Sequence, residues 1–138
     1  LDGVRVLDPV PYAQLGDTLA RYDVGIHVLP PVNFNNANAL PNKLFDYMMA
    51  GRPVIHSISA GNDLVAEAQA GVSVPAEDAV AVAGAVEAMM ARSPGDRARM
   101  GASGRTHVRA HHDYRVLARR FAEAFRTAQV GSSEALER

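Results

Sequence analysis

The sequence predicts an α/β fold, in which a parallel sheet of about four strands is flanked by helices and followed by a helical C-terminal part. Two observations lead to this fold class. Over the first half of the chain, short apolar runs alternate with amphipathic segments, which is typical of parallel strands joined by helices. From Ala76 onward the pattern is helical throughout. The 138 residues suit one domain with a single hydrophobic core.

The predicted strands are four short runs rich in β-branched or other apolar residues. They are Val4–Leu7, Val24–Leu29, Pro53–His56 and Val72–Val74. The second run is almost continuously apolar, which is typical of a strand buried on both faces of a parallel sheet. Asp8 and Pro9 follow the first run and indicate a turn.

The predicted helices have apolar residues at helical spacing and recognisable ends. They cover residues 11–22, 40–50, 63–70, 78–91, 94–110 and 114–128. Pro41 lies near the start of the second of these helices and Gly51 ends it. The last ten residues are polar, so we expect a domain over residues 1–128 and a frayed tail over residues 129–138.

The composition excludes several classes of protein. With 48% hydrophobic residues, 21% charged residues and a net charge of −1, the chain lacks the basic character of a nucleic-acid-binding protein. No run approaches the roughly 18 apolar residues of a membrane span. The absence of cysteine excludes disulfides and thiolate chemistry and fits a reducing compartment. The chain begins at Leu1 without a signal-peptide pattern, so we expect a domain taken from a longer protein.

The loop from Leu29 to Asn42 is the predicted ligand site. Ligands of open α/β sheets collect at the carboxyl ends of the strands, and this loop follows such an end. The helix that begins near Pro41 directs unpaired N–H groups and the positive end of its dipole toward the loop, which suits a phosphate. Lys43 lies in the first turn, where the dipole disfavours a cation. It therefore either faces a bound anion or lies in solvent.

Asp46 is the second candidate residue of this helix. A carboxylate accepts two hydrogen bonds from a vicinal diol, as acidic residues do on ribose. The alternative interpretation is an exposed acid without a ligand.

Residues 38–55 read NALPNKLFDYMMAGRPVI, which resembles the central signature of the retaining glycosyltransferases of family 4, enzymes of the two-domain GT-B fold. That signature has two acidic positions separated by seven residues, followed by Gly-x-Pro-Val. The resemblance extends from Val4 to about Phe125, and its flanking segments are Val4–Tyr12, Tyr22–Val24, Gly71–Pro75 and Met100–Arg105. It implies the C-terminal, donor-binding domain of this fold, with an incomplete Rossmann-like sheet.

The resemblance implies a role for each matching residue. Asp46 takes the place of the second acid, which holds the ribose hydroxyls of the donor. Asn38 stands in the place of the first acid, which contacts the transferred sugar and is thus the catalytic candidate. This is a departure from the family, because an amide bonds hydroxyls but carries no charge to stabilise a developing cation.

Four further residues complete the implied donor site. The backbone amides of Asn42 and Lys43 would cradle the terminal phosphate of the donor. Backbone groups around Pro9 and Val10 would face the nucleobase. The implied donor is a nucleoside-diphosphate sugar, and neither a metal nor another cofactor is expected, because the helix end and cations stabilise the leaving group in this family.

The resemblance also implies partners and a location. The chain lacks the N-terminal acceptor domain of the family and two of about six strands, which would lie between Val4–Leu7 and Val24–Leu29. We therefore expect the isolated chain to be inactive and to associate through its exposed sheet edges. The implied acceptor is a polysaccharide, a glycolipid or a similar molecule. The implied location is the cytoplasm, with a peripheral position at the inner membrane face where the acceptor is membrane-bound.

Two other functions compete with the transferase interpretation. A sugar-nucleotide epimerase of similar architecture would carry a carboxylate-rich Gly-Gly segment in the loop, and residues 33–38 show none. A non-catalytic nucleotide-binding or interaction module would keep the fold and lose the chemistry. Asn38 and the missing basic segment of the family favour this module for the isolated chain.

The histidines leave two questions open. His107 and His111 are four residues apart, which can place two metal ligands on one helix face, but no third ligand is evident and a solvated helix is the prediction. His27 and His56 end apolar strands beside the predicted ligand site. Each is either a buried histidine with its hydrogen bonds satisfied or a contact to the substrate.

Overall fold

The computed structural model describes residues 3–28, 41–59 and 61–136. The chain forms two compact units, Leu1–Arg105 and Thr106–Arg138. Within the described residues, the first unit contains three parallel strands, in the spatial order β1-β2-β3. These strands are β1 (Gly25–Val28), β2 (Val54–Ser57) and β3 (Gly71–Val74).

The helices follow the predicted order. A 3-10 turn spans Tyr12–Gln14, and the α-helices are α1 (Leu15–Leu19), α2 (Asn42–Met49), α3 (Leu64–Glu67), α4 (Ala79–Ala91), α5 (Pro94–His111) and α6 (Tyr114–Leu136). The predicted α/β class, with a parallel sheet flanked by helices and a helical C-terminal part, is confirmed. The predicted boundary between a domain and a frayed tail at residue 128 stays a prediction.

The strand predicted over Val4–Leu7 is wrong. These residues are irregular, and the side chain of Val6 is 96% exposed. β-Branched residues favour a strand only where neighbouring strands and a buried face receive them. No strand of the described ranges pairs with this segment, so the β-propensity of its valines is not sufficient to form a strand.

The helix predicted over residues 63–70 is shorter in the structure. α3 ends at Glu67, and Gln69 has a φ angle of 50°. A left-handed residue cannot continue a right-handed helix, so the chain turns here toward β3.

The sheet separates two layers of side chains. His27 pairs in register with His56, and His56 pairs with Ser73, so these three residues share one face of the sheet. The other face carries Ile55, which packs with Ala85 and Met89 of α4 in the hydrophobic core. β2 is buried on both faces because it is the central strand.

The end of α2 is held by α5. Gly51, with a φ angle of 69°, follows the helix in the left-handed conformation that glycine adopts without a steric penalty. Nε of Arg105 donates to the carbonyl oxygen of Met49 at 2.9 Å, which satisfies one of the last carbonyls of α2. A side chain at Gly101 would collide with the carbonyl of Gly51, so this glycine permits α5 to approach the turn. These contacts fix the direction of α2 across the sheet.

Candidate functional site

α2 lies over β1, and this packing sets the geometry of the site. A Cβ atom at Gly25 would lie 2.5 Å from Cγ of Tyr47, so the tyrosine ring rests directly on the glycine backbone. The hydroxyl of Tyr47 donates to the carbonyl oxygen of Ile26 at 3.4 Å. Lys43 lies one helical turn before Tyr47, and His27 lies two residues beyond Gly25 on the same strand face. Lys43 lies close enough to His27 for its charge to act on the imidazole.

The first turn of α2 offers unpaired hydrogen-bond donors. Pro41 is the N-cap residue and supplies no side-chain cap. Its carbonyl oxygen accepts from the amide of Leu44 at 3.0 Å. Within the described ranges, the amides of Asn42 and Lys43 have no acceptor, and both residues are exposed. With the helix dipole, these two N–H groups form a place where an anion is favoured.

Asp46 lies on the same side of α2 as Asn42 and Lys43, since residues three and four apart are neighbours on a helix. Its side chain is half-buried, and burial raises the pKa of the carboxyl group. Among the residues that the structure describes, Asp46 forms no side-chain hydrogen bond, and no ion pair joins it to Lys43. A carboxylate in this state can accept hydrogen bonds from a ligand without first losing a protein partner.

The two strand histidines form a buried pair. His27 is 7% exposed and His56 is 1% exposed, and their ring centroids are 5.4 Å apart. Burial and the charge of Lys43 lower the pKa of His27. Burial and the neighbouring His27 lower the pKa of His56, although the carboxylate of Asp63 acts in the opposite direction. Both imidazoles are therefore neutral at pH 7.

The pair is buried but not satisfied. Nδ1 of His27 and both ring nitrogens of His56 have no hydrogen-bond partner in the described part of the chain. Nδ1 of His56 and Oδ1 of Asp63 are 3.9 Å apart, which is too long for a hydrogen bond. The described residues supply no partner for these three ring nitrogens, and the choice between a satisfied buried histidine and a contact to the substrate stays a prediction.

Asp63 has a structural role at the start of α3. Its Oδ1 atom accepts from the amides of Val65 and Ala66 at 3.1 and 3.0 Å. This is the N-cap interaction that aspartate provides well. It also holds a negative charge beside His56.

The remaining predicted residues stay outside this arrangement. Asn38 lies outside the described residues, so its predicted role as the catalytic residue stays a prediction. Pro9 and Val10 are exposed residues before the 3-10 turn, and no hydrogen bond of the described chain joins them to α2. Their predicted contact to the nucleobase also stays a prediction.

The second unit supplies no candidate metal centre from its described side chains. The rings of His107 and His111 lie with centroids 4.5 Å apart. Arg120 bonds the carbonyl oxygen of His111 at 3.5 Å. No group of three metal-ligating side chains occurs in the searched, described residues of the whole chain.

Sequence reasoning missed two features of the site. The contact between Gly25 and Tyr47 is not visible in the periodicity, because a glycine at the start of a strand has many causes. Ser73 joins the row of His27 and His56 through the strand register, and its buried Oγ also has no partner among the described residues. A polar residue inside a short apolar strand is the signal that could have indicated it.

The described helices include none that is both long and apolar enough to span a bilayer.

The architecture gives the class of the domain, and comparison with known proteins gives its family. Parallel α/β domains bind ligands at the carboxyl edge of the sheet, and the chain has the architecture of this class. A family model described as glycosyl transferase-like matches residues 2–123, and the chain belongs to this family of group 1 glycosyltransferases. The family indicates a role in glycosyl transfer, with a sugar donor and an acceptor in general. No curated protein and no solved structure matches the chain significantly.

Proposed function

We propose that this chain is the donor-binding part of a retaining glycosyltransferase that moves a sugar from a nucleoside-diphosphate sugar to a polysaccharide, glycolipid or similar acceptor. The observation that carries the proposal is the half-buried carboxylate of Asp46 beside the amides of Asn42 and Lys43, none of which has a hydrogen-bond partner among the described residues. A diphosphate and a ribose are the two groups of a nucleotide that require these two kinds of partner.

In the proposed complex, the diphosphate lies at the first turn of α2. The amides of Asn42 and Lys43 and the charge of Lys43 stabilise the negative charge that grows on the leaving nucleoside diphosphate. The anomeric carbon takes on oxocarbenium character at the same time. The helix amides and Lys43 are fixed dipoles and charges, and they stabilise the negative charge where it develops on the leaving group. The carboxylate of Asp46 accepts hydrogen bonds from the ribose hydroxyls and so orients the nucleotide.

Other parts of the proposal concern the longer protein. An acceptor domain would supply the second half of the active site, and Asn38 would contact the transferred sugar. The edge of the sheet at β1 would then be covered by association, since Ile26 is 46% exposed there. A cytoplasmic location, peripheral at the inner membrane face, belongs to the same proposal. The family match favours this reading over the epimerase.

Calorimetric titration with nucleoside diphosphates of the common bases tests the donor site. We expect one of them to bind the chain and the Asp46→Ala variant to bind it about 10-fold to 100-fold more weakly. This loss corresponds to the roughly 1–3 kcal/mol of a charged hydrogen bond.

The matched control is Glu87→Ala, which removes an exposed carboxylate from α4 on the opposite face of the sheet. It is expected to bind the nucleotide as tightly as the wild type. Equal weakening in both variants would mean that net charge, and not Asp46, determines binding. If none of the nucleoside diphosphates binds the chain, the proposed function is contradicted.

A further inference from the structure

A row of unpaired polar atoms crosses the sheet below the proposed donor site. Nδ1 of His27, both ring nitrogens of His56 and Oγ of Ser73 are buried without a hydrogen-bond partner in the described residues. Strand register places these three residues side by side on the face that α2 covers. Buried polar groups are paired in the great majority of native structures, so several neighbouring exceptions require an explanation.

Position and charge distinguish His27 within this row. It lies at the carboxyl end of β1, near the first turn of α2, and the charge of Lys43 acts on it. Two other titratable groups lie on the elements packed against the pair: Tyr47 of α2, whose ring rests on Gly25 of the same strand, and Asp63 from the start of α3, which faces His56. Asp46 of α2 acts on Tyr47. Among these groups, Lys43 is the cation that a bound diphosphate would neutralise.

We propose that His27 is a proton-accepting residue of the donor site, whose imidazole takes up one proton when a nucleoside-diphosphate sugar binds at the first turn of α2. The inference rests on the proposed function, because it requires a diphosphate at this turn. The proton comes from solvent and binds the lone pair of the imidazole, and no covalent bond to the ligand forms. The imidazolium then holds the negative charge of the diphosphate together with Lys43.

The electrostatics give the direction of the coupling. In the free protein, burial and Lys43 keep the pKa of His27 below its ordinary value. A diphosphate next to Lys43 cancels the repulsion by the lysine and adds an attractive charge, so the pKa of His27 rises on binding. By linkage, binding strengthens as the pH falls, by up to about tenfold per pH unit for one proton.

His56, whose ring nitrogens have no hydrogen-bond partner in the described part of the chain, is the neighbour of His27 in the pair. Its ring centroid is 5.4 Å from that of His27, and a neutral imidazole can orient toward either a neutral or a charged neighbour. Asp63 lies 3.9 Å from Nδ1 of His56 and acts on that ring, whereas Lys43 acts on His27. Because a diphosphate beside Lys43 changes the charge that faces His27, His27 receives the proton and His56 is a positioning residue.

Calorimetry in buffers of different ionisation enthalpy measures this proton uptake. The probes are UDP-glucose, GDP-mannose and dTDP-glucose, whose diphosphate diesters do not titrate between about pH 5 and 8. The observed enthalpy is expected to vary with the buffer, with an uptake between zero and one proton that is largest at a pH between the pKa of His27 in the free protein and its pKa in the complex.

Two matched variants locate the proton. His27→Gln is expected to abolish the uptake and flatten the pH dependence of the affinity, whereas His56→Gln is expected to retain both. His111→Gln in the second unit serves as the control for an exposed histidine and is expected to behave as the wild type. Uptake that persists in His27→Gln and disappears in His56→Gln would overturn the assignment to His27.

If the His27→Gln variant does not fold, an NMR titration of the unsubstituted chain tests the same inference. The NMR shift of the His27 ring proton, followed against pH with and without the bound probe, is expected to show a higher pKa in the complex. An unchanged titration, or binding without proton uptake, overturns the inference and leaves the donor site intact. Failure of every probe to bind overturns both the inference and the proposed function.

Discussion

At the residue scale, the site collects buried and half-buried polar groups for which the described residues supply no hydrogen-bond partner. Asp46 is a half-buried carboxylate whose pKa is raised by burial, and His27 and His56 are imidazoles whose pKa values are lowered by burial. Each of these shifts opposes the charged form of the residue. If these positions had only a structural role, apolar side chains of similar volume would avoid the cost of burying ionisable groups.

The buried imidazoles make the stability of the chain depend on pH. The folded-state pKa of His27 and His56 lies below the value of about 6.5 for an unfolded histidine, so the unfolded state binds more protons. Their contribution to stability is present above about pH 6.5 and is lost as the pH falls through the interval down to the folded-state pKa.

Urea unfolding between about pH 7.5 and pH 5.5 measures this contribution. We expect the free energy of unfolding to fall over this interval, and the double variant His27→Gln/His56→Gln to show a smaller fall. Equal slopes in the wild type and the variant would contradict the assignment of the buried histidines.

At the scale of the elements, the contact between α2 and β1 positions the first turn of the helix. The ring of Tyr47 rests on Gly25, where a side chain would lie 2.5 Å from Cγ of the tyrosine. Because Tyr47 is inside α2, displacement of its ring moves the helix and with it the amides of Asn42 and Lys43.

Gly25→Ala is expected to destabilise the chain by about 1–3 kcal/mol, the usual cost of overpacking a well-packed contact. The matched control is Gly84→Ala in α4, because a Cβ atom at Gly84 meets no atom within 4 Å. That substitution is expected to stabilise the helix by about 0.5–1 kcal/mol. Urea denaturation measures the free energy of unfolding of both variants. An unchanged value for Gly25→Ala would show that α2 does not rest on this glycine.

The elements also show what sequence patterns can predict. The strand β2 and the helices α2, α4 and α5 were predicted near their observed bounds, because hydrophobic periodicity and Pro and Gly boundaries are local signals. Val4–Leu7 has the same local signal as a strand but no described neighbour to pair with. Strand formation depends on that neighbour, so propensity alone predicted the wrong structure.

At the scale of the molecule, the candidate site was only partly predictable. The position of Asp46 and Lys43 on one side of a helix follows from their spacing. The pairing of His27 with His56 depends on strand register, which connects residues 29 positions apart in the chain. A single sequence contains no signal for that register. The sequence therefore indicates His27 and His56 as separate candidates, and only the structure shows them as a pair.

Within the described residues, β1 is an edge strand of the sheet. Ile26 and Val28 of β1 are exposed on the face that carries Ile55 and α4. This face is a candidate surface for a protein partner, and the first turn of α2 is the proposed surface for the nucleotide ligand. They lie on opposite sides of the sheet, so binding at one of them can be distinguished from binding at the other.

The most direct test of the donor site is amide chemical-shift mapping of the ¹⁵N-labelled chain with a nucleoside-diphosphate sugar. We expect the largest shifts at the amides of Asn42, Lys43 and Asp46, with little change at Val86 and Met89 of α4. Shifts concentrated at Val86 and Met89, with none at the first turn of α2, would contradict the location of the donor site at the carboxyl edge of the sheet.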